Sequence, residues 1–154
     1  FRSDPVHRKA ICDFYLKHRQ QVNNWNLVDV SAHWILGAYL WDKNRRILLT
    51  LARSDILWDR RIAVVSTWYF IRHDDVAWTF KIVKMLLKDS HDLIHKASGW
   101  MLREAGKRKK KSLLTFLDEH AHEMPRTMLR YAIEKLSEKE RKHKMQITQQ
   151  SRAE

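Results

Sequence analysis

Apolar residues recur along almost the whole chain at the three- and four-residue spacing of one helix face, and no segment alternates strictly enough to suggest a strand. Val6, Ala10, Ile11, Phe14 and Tyr15 mark a helix over 4–19, and Leu27, Val28, Ala32, Ile35, Leu36 and Tyr39 mark one over 25–40. A short helix follows over 43–52. Ser54 is positioned to cap ILWDRRIAVVSTWYFI, Asp74 or Asp75 to cap VAWTFKIVKMLLK, and Ser90 to cap HDLIHKASGWMLREAGK. KKSLLTFLDEHA is the next helix, and Pro125 opens PRTMLRYAIEKL from a first turn. The pattern predicts an all-α fold.

Connections of about two to five residues require neighbouring helices to pack antiparallel. A weak repeat runs through these helices. The lines RRIAVVSTW, HKASGWMLR and LRYAIEKL align on Ala63, Ala97 and Ala132, spaced 34 and 35 residues apart, and Ala32 in VDVSAHWIL stands 31 before Ala63. A small residue at that place lets helices approach closely, which predicts an α-solenoid, a superhelix of stacked HEAT-like pairs with a concave face. The repeats occupy 1–137, and a polar helix or tail occupies 138–154.

Composition sharpens this picture. Only three Gly and two Pro punctuate 154 residues, against seven Trp, which excludes a turn-rich all-β fold. Thirty Lys and Arg outnumber 18 Asp and Glu, a net charge of +12 that points to a polyanion, nucleic acid before membrane. Residues 103–144 hold half of that net charge, and GKRKKK at 106–111 is either a solvated charge run or a phosphate clamp involving Lys107, Arg108 and Lys109. The single Cys12 excludes an internal disulfide and suits a reducing cytoplasm. No apolar run reaches 18 residues and no signal-peptide pattern opens the chain. The missing initial Met leads to the expectation of a fragment or processed form.

Two motifs invite chemistry. HDLIH at 91–95 resembles the H-E-x-x-H zinc helix, with His120 or Glu123 as a third ligand. Asp is shorter than the Glu that serves as base in that motif, and His91 falls at a helix start. The spacing therefore favours a helix-start His91 and an interhelical His95, with no metal. VNNWNLVDVSAHW, 22–34, is the sharper puzzle. It places Asp29 one helical turn after Trp25 on an inward face, where an unpaired carboxylate would cost several kcal/mol. Arg61 and Trp100 hold comparable inner positions in successive layers, so all four residues are expected to meet in the concave groove.

At these residues the chain resembles the DNA alkylation repair proteins, the AlkD-like family of HEAT-like DNA glycosylases. The resemblance runs through NNWNLVDVSAHWILGAYL, LWDRRIAVVSTWYFI, HDLIHKASGWMLREAGK and MPRTMLRYAIEKL. It implies excision of cationic alkylated purines from duplex DNA by a cofactor-independent monofunctional glycosylase. On that likeness Trp25 and Trp100 are the aromatic contacts, Asp29 the catalytic carboxylate and Arg61 the groove arginine. Arg60, Lys96, Arg126 and Arg130 join Lys107, Arg108 and Lys109 as expected DNA contacts. The resemblance also suggests a monomer in the bacterial cytosol or nucleoid, without an obligate protein partner. Residues 1–20 look shorter than the family's N-terminal region, which leaves that region's groove aromatic unassigned. The alternative function is a noncatalytic module that binds branched or damaged DNA, and a third class is a protein scaffold.

Overall fold

A computed structural model describes residues 4–153, apart from the side chains of 151 and 152. Every regular element among them is helical: α1 (Pro5–Lys17), α2 (Trp25–Ala32), α3 (Ala38–Leu40), α4 (Arg46–Ala52), α5 (Leu57–Arg72), α6 (Ala77–Leu86), α7 (Asp92–Arg108), α8 (Lys110–His120), α9 (Arg126–Ala132) and α10 (Glu138–Ala153). Short 3₁₀ turns stand at Arg19–Gln21 and Ala121–Glu123. A π turn, His33–Gly37, joins α2 to α3, so the helix expected over 25–40 is continuous but widened at its middle.

Helices α2, α5, α7 and α9 touch in succession and form one row, while α4, α6 and α8 back them. This packing is that of a helical-repeat solenoid. Ala32, Ala63, Ala97 and Ala132 sit one in each helix of the row and are all essentially inaccessible. Two glycines make the closest approaches. A Cβ on Gly37 would stand 2.3 Å from the Ser66 carbonyl oxygen, and one on Gly99 would stand 2.6 Å from that of Met128. The second neighbour is a tyrosine in both cases, Tyr69 and Tyr131. The two contacts are the same contact displaced by 62 residues, two layers of the stack.

Asp4 caps α1 by accepting from the Val6 and His7 amides, and Asn24 caps α2 by accepting from Leu27 N–H at 3.0 Å. Three expected caps are corrected. Ser54 lies outside α5, where its hydroxyl accepts from Ile56 N–H and donates to Asp59 at 2.8 Å. Val76 stands at the cap of α6. Asp74 takes a left-handed φ of 62° beyond the end of α5, and Asp75 accepts from Arg45 at 2.8 Å. His91, not Ser90, caps α7. Pro125 precedes α9 rather than opening it, and α9 ends at Ala132, short of the expected Leu136. The stretch from 138 onward is helical and covers the 3₁₀ turn at Ala121–Glu123, burying Lys144 against Asp118 and Thr148 against the Ala121 carbonyl.

Candidate active site

The Asn24 cap fixes the first turn of α2, which leaves Trp25 half-exposed at the first helical position and Asp29 one turn deeper. From α5, Arg61 meets the Asp29 carboxylate fork to fork: Nε donates to Oδ1 at 3.0 Å and Nη2 to Oδ2 at 2.8 Å. Its remaining nitrogen, Nη1, donates to the Leu93 carbonyl of α7 at 2.5 Å. One guanidinium therefore ties three layers together while only 5% exposed. The Asp29 side chain keeps 17% of its surface, enough to reach solvent on one side.

These groups form the floor of an open cleft of about 630 Å³. Trp25 stands on one side. Trp100 of α7 stands on the other, its indole edge-on to Trp68 with ring centres 4.9 Å apart. Lys96, one turn before Trp100, also lines the cleft and pairs with Asp92 at 3.0 Å, which holds its ammonium above the usual lysine range. Among the described residues, Asp29 is the sole carboxylate lining a cleft that also presents three cations and two indoles.

A family model described as the DNA alkylation repair enzyme matches residues 2–136. The chain belongs to the DNA alkylation repair enzyme family. No curated protein matches it. Membership gives the chain a role in alkylation repair with DNA as its substrate, and the match ends just before α10. No helix among the described residues is long and apolar enough to cross a membrane.

For a member of this family, the placement of the remaining expected residues matters. Trp25, Asp29, Arg61, Lys96 and Trp100 share the cleft. Arg60 points elsewhere: it holds Asp89 at 2.7 Å and donates to the Ser54 and Asp55 carbonyls, tightening the entry to α5. Lys107, Arg108 and Lys109 lie at the far end of α7. There Lys107 pairs with Glu104, Arg108 with Asp74, and Lys109 lines a separate, larger cleft of about 690 Å³ beside Phe80 and Phe116. Arg126 and Arg130 are exposed on α9, with Arg130 next to Tyr131 at the rim. The larger cleft lacks the buried carboxylate–guanidinium pair and the two indoles that line the smaller one.

Three lining residues escape the sequence reading: Leu93, Arg103 and Tyr131. Arg103 was within reach of it, because Lys96, Trp100 and Arg103 follow the spacing of one helix face. It pairs with Glu134, just past the end of α9. Tyr131 gives no such signal and enters the cleft only because Gly99 brings α9 against α7.

The HDLIH histidines turn to different partners. His91 Nδ1 accepts from Leu93 N–H at 3.1 Å, and His95 Nε2 meets the Asp89 carbonyl. No group of three metal-ligating side chains occurs among the described residues. A third histidine sits behind the cleft floor. His33, the first residue of the π turn, is buried against Trp68, with ring centres 4.6 Å apart. Burial, with the nearby Arg72 charge, pushes its pKa down to about 4.

Proposed function

We propose that this chain is a DNA glycosylase that removes cationic alkylated purines from duplex DNA, with Asp29 as its electrostatic catalyst. The observation that carries this reading is Asp29 itself, fixed by Arg61 on the floor of a cleft between Trp25 and Trp100. A ring-alkylated purine already carries positive charge, so its bond to C1′ is weakened. As that bond breaks, the electron pair leaves with the purine, which departs neutral. The sugar becomes oxocarbenium-like, and water adds to C1′ with loss of a proton. A pre-positioned carboxylate stabilises the positive sugar without the reorganisation that water requires. The indole faces of Trp25 and Trp100 attract a cationic nucleotide. Lys96, Arg126 and Arg130 suit the phosphates at the rim, with Lys107, Arg108 and Lys109 further along the backbone. Arg61 orients Asp29.

The test is to incubate the chain with duplex DNA bearing methylated purines and to follow released free base. A second reading, a module that binds damaged or branched DNA without chemistry, draws on the same pair: both Asp29 oxygens are already engaged by Arg61. Tight binding to alkylated duplex without base release would select it.

A further inference from the structure

Arg61 is committed to Asp29 and Leu93, so the inner face needs another guanidinium if it is to grip a phosphate from α5. Eleven residues after Arg61, about 16 Å along the same face of α5, stands Arg72. Its surroundings are unlike those of most arginines packed into the fold, although Arg8 too lacks a carboxylate and keeps its Nε buried without a partner. Arg19, Arg45, Arg60, Arg61 and Arg103 each hold a carboxylate. The Arg72 side chain makes no hydrogen bond or ion pair with any described residue. Instead, its Cζ lies 4.2 Å from the centre of the Trp68 ring and 5.0 Å from that of Trp34.

Stacking uses the face of a guanidinium and leaves its N–H edge free, and that edge matches the paired oxygens of a phosphodiester. The indoles hold the side chain, so less conformational freedom is lost when an anion binds. Trp68 also packs on Trp100, which places Arg72 one indole beyond the cleft wall. Trp34 is half-exposed, so the cluster opens to solvent. His33 supports the picture from below, because a neutral imidazole there adds no competing cation.

We propose that Arg72, clamped between Trp34 and Trp68, binds a DNA backbone phosphate beside the Asp29 cleft and holds the strand against Trp100. This rests on the reading of the inner face as the DNA-binding surface.

The test compares wild type, Arg72→Met, Arg72→Gln and Arg72→Lys for binding to undamaged duplex between 50 and 200 mM salt. Methionine keeps apolar volume between the indoles, and Gln is a second neutral variant, so a packing defect in one does not decide the result. Thermal melting establishes that each variant is folded. The neutral variants are expected to lower the slope of log affinity against log salt by about one, the loss of one phosphate contact. Lysine is expected to keep the slope. Folded neutral variants with the wild-type slope would assign Arg72 to packing alone and overturn the proposal while leaving the glycosylase reading intact. A wild-type chain that binds no duplex at 50 mM salt would overturn both.

Discussion

Arg61 grips both oxygens of Asp29 from the neighbouring layer of the stack, at 3.0 and 2.8 Å, and the two side chains are nearly withdrawn from water. The pair answers how a carboxylate survives on an inward helix face. It also sets the cost of disturbing it: removing one partner strands the other's charge, which costs about 3–5 kcal/mol for a buried pair.

Asp29→Asn is expected to reduce base release by roughly two orders of magnitude or more, the scale of losing one preorganised electrostatic group. Because Arg61 then loses its counter-ion, the variant should also melt lower than wild type. Single-turnover release from methylated duplex, measured well below the melting point, separates the two effects. Wild-type release by this variant would make Asp29 a structural residue.

Arg61→Met leaves Asp29 as the uncompensated charge and should destabilise the fold by about 3–5 kcal/mol in urea denaturation. The double variant Asp29→Asn with Arg61→Met removes both charges and should recover part of that loss. A double-mutant cycle with no coupling between the sites would refute the pair's role in joining the layers.

Gly99→Ala should destabilise by about 1–3 kcal/mol, because the methyl group meets the Met128 carbonyl and Tyr131 Cβ, each at 2.6 Å. Relief requires α9 to move from α7, carrying Tyr131 out of the cleft. The expected signature is a lower melting point together with weaker binding of alkylated duplex. Gly37→Ala, at the corresponding contact against Ser66 and Tyr69, should destabilise to a similar degree without displacing Tyr131.

His33 gives the fold an acid limb. Its pKa is about 4 in the folded chain and near the ordinary 6.5 when unfolded. Below pH 6.5 the unfolded chain takes up a proton that the folded chain refuses. Stability contributed by the neutral ring is therefore complete above that pH and declines as pH falls toward 4. His33→Phe keeps an aromatic ring between Trp34 and Trp68 and should flatten this part of the stability profile. Equal slopes for variant and wild type between pH 6.5 and 4 would remove His33 as the source.

Helical periodicity, the scarcity of Gly and Pro, and the recurring small residues were enough to establish the all-α repeat architecture. Spacing and family resemblance together were enough to gather Trp25, Asp29, Arg61 and Trp100 into one cleft, because one-turn spacings fix which residues share a helix face. Helix ends were less legible. Ser54, Asp75 and His91 have similar local capacity to bond a backbone amide, and Asp59, Arg45 and the start of α7 decide among them from outside the segment. The partners of each arginine were not legible at all. Arg60 and Arg61 are adjacent in sequence, yet one closes a loop through Asp89 and the other holds Asp29, while Arg72 stacks on two indoles. A helix pattern specifies the direction in which a side chain leaves its own helix. What waits there is set by the rotation and closeness of the next layer, which Gly37 and Gly99 allow and only the packed stack determines.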